Sequence, residues 1–186
     1  MSRIKVISYE EASGRLKEIY NDLISKRGKL AEVHTIQSLR PESIVKHIDL
    51  YLEIMFSKSE LTRAEREMMA VVVSKANGCM YCQKHHAEAL NNYWKDENKT
   101  ETFRMSYQNV QLDQKELSLC RYAEQLTQNP ETAVNNDLTE PLKKIGLSDE
   151  AILDATLVVA YFNFVNRIVL ALGVELEENP GSGYKY

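Results

Sequence analysis

The chain has 186 residues, a formal net charge of −4 and a sequence pI near 5.7. That length suits one domain with a sizeable core, and the acidic balance excludes the basic surface that nucleic-acid binding needs. The first residues hold no apolar stretch of signal-peptide length, so we expect a cytoplasmic protein.

Apolar residues recur at helical spacing, and no strand alternation is sustained over several segments. The pattern predicts an all-α, multihelical fold. The predicted helices cover residues 10–25, 41–57, 62–75, 79–91, 99–107, 113–127, 136–145 and 149–172. We predict a single domain over residues 1–176. The polar, glycine- and proline-containing end, residues 177–186, is predicted to be a flexible tail.

The last predicted helix is apolar and long enough to cross a membrane. Asp154 and Arg167 interrupt it, however, and a charge at the centre of a membrane helix costs ~2.5 kcal/mol or more. We therefore predict a buried core helix and no membrane partner. Its aromatic residues cover more than one face, which favours packing both within the subunit and against a neighbouring copy.

Two of the predicted helices form a hairpin with a very short turn. Thr62 and Glu65 have the spacing of a capping box, which starts the first of them. Asn77 and Gly78 end it, since both tolerate the left-handed conformation. The second helix begins at about Cys79, so that this cysteine lies in its first turn.

Four residues of this hairpin, Glu67, Cys79, Cys82 and His86, point to a reaction. Glu67 and His86 both lie ~12 Å from the turn, given the ~1.5 Å rise per helical residue. Their side chains can therefore meet. Cys79, Cys82 and His86 share one helical face, which points toward Glu67 if the helices pack in the ordinary antiparallel way.

This constellation fits thiol redox chemistry. A helix N-terminus and an imidazole favour the nucleophilic thiolate, and a second thiol can trap the oxidised sulfur as a disulfide. Glu67 would orient His86 or take part in a proton relay. Two alternatives remain open at this point: a structural zinc site completed by His85 or His86 with Glu67, and two buried, inert cysteines.

The remaining thiol and imidazole groups receive simpler interpretations. Cys120 is predicted to be a buried structural thiol, and the total of three cysteines does not suggest a secreted disulfide framework. His34 and His47 are predicted at surface or loop positions, without a role. Met68 and Met69 are predicted to pack in the core beside the site.

The stretch from Leu61 to Leu90 resembles the alkylhydroperoxidase D (AhpD) family, within the larger carboxymuconolactone decarboxylase family. The glutamate, both cysteines and the last histidine match position for position, and residues 158–176 carry a second similar stretch. The chain is most similar to the branch of uncharacterised peroxidase-related proteins. Decarboxylase members typically lack the cysteine pair, so its presence here favours redox chemistry.

The resemblance implies a homo-oligomer, a trimer or hexamer, that reduces hydroperoxides through the cysteine pair. By that analogy Cys82 is the attacking thiolate, and Cys79 is the proton donor and resolving thiol. His86 and Glu67 form the proton relay. The chain departs from the family pattern at Tyr81, where AhpD proteins have a histidine. It also adds His85, and we expect these two side chains to line the entrance of a substrate pocket.

The sequence thus predicts a thiol-dependent peroxidase that an external dithiol returns to its reduced form. No nucleotide, haem or flavin signature is present, so we expect no organic cofactor and no metal. Two other functions are compatible with the same residues. One is a thiol-disulfide reductase or adapter with little peroxidase activity, and the other is a non-enzymatic helical module, with or without zinc.

Overall fold

The computed structural model describes residues 2–177, which form an all-α fold without strands. The helices are α1 (Gly14–Arg27), α2 (Glu32–Thr35), α3 (Pro41–Phe56), α4 (Arg63–Ala76), α5 (Met80–Trp94), α6 (Glu97–Met105), α7 (Gln114–Gln128), α8 (Glu140–Lys144) and α9 (Asp149–Leu172). Two short 3-10 turns lie at Tyr107–Asn109 and Pro130–Val134. The predicted all-α fold class is confirmed.

Helix α4 lies at the centre of the fold and packs against α5, α7 and α9. It is buried along most of its length, from Glu65 to Ser74. A smaller apolar cluster joins α1 to α3 through residues such as Tyr20 and Ile44, neither of which is exposed. The central position of α4 places its polar side chains, Glu67 among them, inside the core.

Helix α9 has the bounds predicted from the sequence. The Ser148 side chain accepts a hydrogen bond from the backbone of Ala151, and Gly173 ends the helix in the left-handed conformation. In the part of the chain that the structure describes, α9 is the one helix long and apolar enough to cross a membrane. It packs against α3, α4 and α7. Its outer face carries exposed Leu153, Leu157 and Phe164, and the homo-oligomer remains a prediction.

Two predicted helices begin four residues later in the structure than predicted, and the other predicted helix ends differ by three residues or fewer. Helix α1 begins at Gly14 rather than at residue 10, because the chain before it forms a turn. The helix predicted over 136–145 is reduced to Glu140–Lys144. Pro141 lies at the start of this helix, where its missing N–H does no harm, and in the interior of the longer helix it would have broken a hydrogen bond.

The turn between α4 and α5 is a Schellman motif. Cys79 N donates to the Ser74 carbonyl at 2.8 Å, and Gly78 N donates to Lys75 at 3.0 Å. Gly78 has a φ of 69°, in the left-handed region that glycine adopts at little cost. Because this turn is so short, α5 begins directly beside the end of α4, with Cys79 as its N-cap residue.

The backbone conformation at Gly78 generates a stability prediction. A Cβ added at this position would meet no atom within 4 Å, so only backbone strain opposes it. We expect Gly78→Ala to lower the free energy of unfolding by about 1–2 kcal/mol. Gly78→Asn should cost less, because asparagine tolerates the left-handed region. Urea unfolding checks both, and an alanine variant as stable as the wild type would contradict this description of the turn.

Candidate functional site

The Glu67 carboxylate and the His86 imidazole meet between α4 and α5. Glu67 Oε2 lies 2.7 Å from His86 Nδ1, and the glutamate side chain is 0% exposed. An ionised carboxylate only accepts, so Nδ1 carries the proton of this bond. In the neutral form of the ring, Nε2 is then the nitrogen that can accept a proton.

Arg63 is the second partner of Glu67, and sequence reasoning missed it. Its Nη2 lies 2.6 Å from Glu67 Oε1, one helical turn away on α4. The guanidinium also donates to the Tyr51 hydroxyl and lies 3.6 Å from the centre of the Phe56 ring. Burial opposes the charge of Arg63, but Glu67 and Tyr51 outweigh it and raise the pKa of this arginine. The four-residue spacing of Arg63 and Glu67 was the available sequence signal.

The two cysteines of the hairpin are free thiols in contact with each other, and both are buried, with exposed fractions of 0% for Cys79 and 2% for Cys82. The hydrogen bond from Cys82 lowers the pKa of Cys79, helped by the backbone N–H groups of Cys82 and Tyr81. The same contact, together with burial, raises the pKa of Cys82 well above its ordinary value, while Asn166 acts in the opposite direction. The two thiols are therefore unequal, and Cys79 loses its proton more readily than Cys82.

A cavity of about 630 Å³, part of which is open to solvent, lies between α3, α5 and α9. Cys82 and His86 line it, whereas Cys79 does not. Phe162 packs edge-on against His86, with 4.5 Å between ring centres. Cys82 is thus the sulfur that faces the cavity, and Cys79 lies behind it.

Tyr81 and His85 also line the cavity, and Glu177 contacts both of them. His85 Nε2 lies 2.7 Å from Glu177 Oε2, and the Tyr81 hydroxyl donates to Glu177 Oε1 at 3.1 Å. Burial opposes ionisation of Glu177, yet His85 and the backbone N–H of Glu32 lower the pKa of this carboxyl to about 2. Glu177, the first residue of the predicted tail, thus contacts both side chains, and the remaining tail residues, 178–186, lie outside the described residues.

His34 and His47 were predicted at surface or loop positions, and that prediction is wrong. They are 8% and 5% exposed and both line the cavity. Burial lowers the pKa of His34 to about 3 and that of His47 to about 4, so both rings are neutral near neutral pH. His47 Nε2 lies 2.7 Å from the Tyr161 hydroxyl. The short helix α2, which has too few residues for a periodic pattern, is what brings His34 inward.

The third cysteine lies apart from the site. Cys120 is buried in the core, and burial raises the pKa of its thiol. Met68 and Met69 are buried in the same core, as predicted. Across residues 2–177, no group of three or more histidine, cysteine or acidic side chains is arranged to hold a metal ion. The zinc alternative thus has no ligand set among the described residues.

The segment of the chain that contains this site matches the model of a known protein family. Residues 44–124, from α3 to α7, match the model of the carboxymuconolactone decarboxylase family. That stretch contains all four residues of the predicted constellation. No protein of curated function matches the sequence.

Solved structures share the fold over nearly the whole chain. An uncharacterised peroxidase-related protein from Ralstonia eutropha JMP134, described as an alkylhydroperoxidase AhpD core, has a TM-score of 0.85 and 23% identity, covering 97% of this chain and 94% of that chain. A peroxidase-related protein from Silicibacter sp. TM1040 has a TM-score of 0.83 and 24% identity, with 100% of both chains covered. The predicted resemblance to AhpD-like proteins is confirmed.

A third structure has a different described activity. The debrominase Bmp8, solved as a cysteine-to-alanine variant in complex with 2,3,4-tribromopyrrole, has a TM-score of 0.78 and 19% identity, covering 97% of this chain and 96% of that chain. At these identities the likeness establishes the fold.

The unequal thiols generate a prediction about titration. Ultraviolet thiolate absorbance of the reduced protein should show one ionisation below the ordinary cysteine pKa and the next well above it. Cys82→Ser keeps a donor for Cys79, so the low-pKa step should persist. Cys79→Ser removes the step and lowers the pKa of Cys82, because the neighbouring thiolate is gone.

Cys120→Ser is the matched control for this titration, since its thiol lies away from the pair. It should leave the low-pKa step unchanged. Persistence of that step in Cys79→Ser would contradict the assignment of the thiolate to Cys79.

Proposed function

We propose that this chain, in which residues 44–124 match the carboxymuconolactone decarboxylase family, is a thiol peroxidase that reduces hydroperoxides through a Cys79–Cys82 disulfide. One observation carries the proposal. The Cys82 thiol faces a cavity beside His86, and Cys79 lies in hydrogen-bond contact behind it. An oxidant that enters the cavity would reach one sulfur, and the other sulfur is within reach to resolve the product.

The two sulfurs differ in a way that suits a division of roles. The lowered pKa of Cys79 makes it the thiol that ionises more readily, whereas access makes Cys82 the attacking group. The attacking sulfur must approach the terminal peroxide oxygen in line with the O–O bond that breaks. The peroxide therefore needs room in front of that sulfur, so the more accessible sulfur is the one that reacts. A proton transfer from Cys82 to Cys79, across the hydrogen bond that already joins them, would produce the reactive thiolate.

In the first half-reaction the Cys82 thiolate attacks the terminal peroxide oxygen. The O–O bond breaks, Cys82 becomes a sulfenic acid, and the alkoxide takes the proton from the Cys79 thiol and leaves as an alcohol. Cys79, again a thiolate, then attacks the Cys82 sulfur, and hydroxide leaves with a proton as water. The peroxide has gained two electrons and the thiol pair has lost two.

His86 is well placed to manage these protons. Glu67 fixes its ring through Nδ1, which directs proton exchange to Nε2. Arg63 keeps the Glu67 charge balanced in the core. In the second half-reaction an external dithiol reduces the disulfide by thiol–disulfide exchange and becomes a disulfide itself.

A second candidate function is reductive dehalogenation of a small aromatic compound. The observation that favours it is the fold shared with the debrominase Bmp8, whose structure contains a bromopyrrole. The same thiol pair would supply the two electrons. The aryl halide would become the arene and a halide ion, and the cysteines would become the disulfide.

Sulfenic-acid trapping by mass spectrometry tests the peroxidase directly. With one equivalent of tert-butyl hydroperoxide, the wild type should form the Cys79–Cys82 disulfide. Cys79→Ser should accumulate sulfenic acid on Cys82, because the resolving thiol is missing. Cys82→Ser should lose nearly all reactivity, and Cys120→Ser should behave like the wild type.

Each of the competing functions gives a different result in this experiment. If peroxide leaves Cys82 unmodified while a disulfide substrate is reduced, the chain is a thiol-disulfide reductase or adapter. If sulfenic acid forms on Cys79 in the Cys82→Ser variant at the wild-type rate, the assigned roles are reversed. Stoichiometric zinc with shielded thiols would remove the redox proposal altogether.

A further inference from the structure

Asn166 of α9 contacts the sulfur of Cys82 from inside the protein. The asparagine side chain is 0% exposed and makes a hydrogen bond with Cys82. Phe162 and Val165, its neighbours on the same helix, line the cavity, but Asn166 does not. The amide therefore approaches the sulfur from a direction other than the cavity, which leaves the cavity side of Cys82 open to an oxidant.

The orientation of the Asn166 amide is set by a chain of contacts that begins at Asn163. An amide can offer either N–H donors or a carbonyl acceptor, so its orientation has to follow from its partners. Asn163 Nδ2 donates to the Val159 carbonyl at 3.0 Å, and Asn163 Oδ1 accepts from Arg167 at 2.8 Å. A carbonyl only accepts and a guanidinium only donates. Both contacts therefore fix the same orientation of Asn163, with its oxygen on the side of Asn77.

Asn77 links the orientation of Asn163 to that of Asn166. It faces the oxygen of Asn163, so it presents its Nδ2, which donates at 3.0 Å to Asn163 Oδ1 and at 3.0 Å to Asn166 Oδ1. With its oxygen turned toward Asn77, Asn166 directs its Nδ2 to Ser74 Oγ, at 3.2 Å. The two N–H groups of this nitrogen match two acceptors, the Ser74 hydroxyl and the Cys82 sulfur. Cys82 therefore meets a donor whose orientation is fixed.

A fixed N–H donor favours the ionised form of the sulfur that it contacts. Burial and Cys79 raise the pKa of Cys82, whereas the hydrogen bond from Asn166 lowers it. In the proposed reaction, Cys82 passes its proton to Cys79 before it attacks. The sulfur left with the negative charge then accepts two hydrogen bonds, one from the Cys79 thiol and one from Asn166.

We propose, on the basis of the proposed function, that Asn166 is a further catalytic residue, whose amide N–H stabilises the Cys82 thiolate during its attack on the peroxide. Asn166 itself neither gains nor loses a proton. The proton of Cys82 moves to Cys79, and the electron pair of the thiolate forms the bond to the terminal peroxide oxygen as the O–O bond breaks. Asn77 and Asn163 are positioning residues, since they act only through the orientation of Asn166.

A purely structural role for Asn166 predicts a different dependence on its chemistry. As a structural link, its amide would join α9 to Ser74 and Asn77 at the end of α4. A carboxylate would retain that link, because it still accepts from Asn77 and the Ser74 hydroxyl can donate as well as accept. Only the catalytic role requires an N–H donor at Cys82.

Asn166→Asp separates the two roles, because it keeps the shape of the side chain and replaces the donor at Cys82 by an acceptor. In the Cys79→Ser background, alkylation of Cys82 by iodoacetamide is followed by mass spectrometry across pH. Asn166→Asp should raise the pKa of Cys82, so that alkylation near neutral pH becomes about tenfold slower or more. With both cysteines present, disulfide formation with tert-butyl hydroperoxide should slow by a similar factor. The difference should shrink as pH rises, because the thiolate then forms in either protein.

Asn136→Asp is the matched control, because it makes the same substitution at an exposed position outside the site. In the Cys79→Ser background it should leave the rate of alkylation unchanged. The ionisable groups that face Cys82 and its cavity from the surrounding helices stay the same in every variant, and they include His34 of α2, His47 of α3, Glu67 of α4, His85 and His86 of α5 and Tyr161 of α9.

If Asn166→Asp does not fold, nuclear magnetic resonance of the Cys79→Ser protein provides a second test. The side-chain amide resonances of Asn166 should shift with the ionisation of Cys82, because the N–H group contacts the sulfur that becomes charged. Those of Asn136 should not shift. The shift of the Asn166 resonances should be lost when Cys82→Ser is added.

The inference is overturned if folded Asn166→Asp is alkylated at the background rate, or if the Asn166 resonances do not respond to the ionisation of Cys82. Unchanged alkylation together with normal disulfide formation would leave the peroxidase in place and make Asn166 a structural link. Slower alkylation in a protein whose wild type does not react with tert-butyl hydroperoxide would support the donor at Cys82 and remove the peroxidase.

Discussion

The buried carboxylate of Glu67 is the constraint on which the rest of the site depends. A carboxylate fully removed from water is costly, and only close, well-placed partners offset that cost. Arg63 lies 2.6 Å from one oxygen and His86 lies 2.7 Å from the other. Removing one partner of such an arrangement costs ~3–5 kcal/mol in general. The carboxylate thereby joins α4 to α5 and fixes the ring of His86.

The position of α5 follows from that contact and from the Schellman turn. Glu67 of α4 holds His86, and Cys79 is the N-cap residue of α5. Two points on one face of α5 are therefore fixed. The thiols of Cys79 and Cys82, both on this part of α5, have different surroundings and therefore different pKa values. Cys79 accepts backbone N–H bonds at the start of the helix, while Cys82 lies in the buried wall of a cavity. A pair with one acidic thiol and one accessible thiol suits stepwise oxidation and resolution.

Much of this arrangement could be predicted because it depends on contacts within one hairpin. The capping box of Thr62 and Glu65, the turn at Gly78 and the bounds of α9 all follow from local signals. Long-range contacts left no such signal. Glu177 reaches His85 across 92 positions, and the sequence around Glu177 resembles a tail.

The burial of His34 could not be predicted from the sequence for the same reason. His34 is buried because α2 packs beside the cavity, and a helix of four residues has no recognisable periodicity. The difference between the two thiols depends on burial and on the contact between them, neither of which spacing reveals. The resemblance implied Cys82 as the attacking group. The structure adds an opposing feature, the lowered pKa of Cys79, and the proposed proton transfer within the pair reconciles the two.

The rate of disulfide formation with excess tert-butyl hydroperoxide, measured against pH, tests the coupling of Glu67 and His86 most directly. Glu67→Gln and His86→Gln should each slow it by about a hundredfold near neutral pH and change its pH profile. Their double variant should be no slower than either one, because the two residues act as a unit. Circular dichroism confirms folding, and His86→Gln retains the Arg63–Glu67 pair. Folded variants that form the disulfide at the wild-type rate would contradict the account.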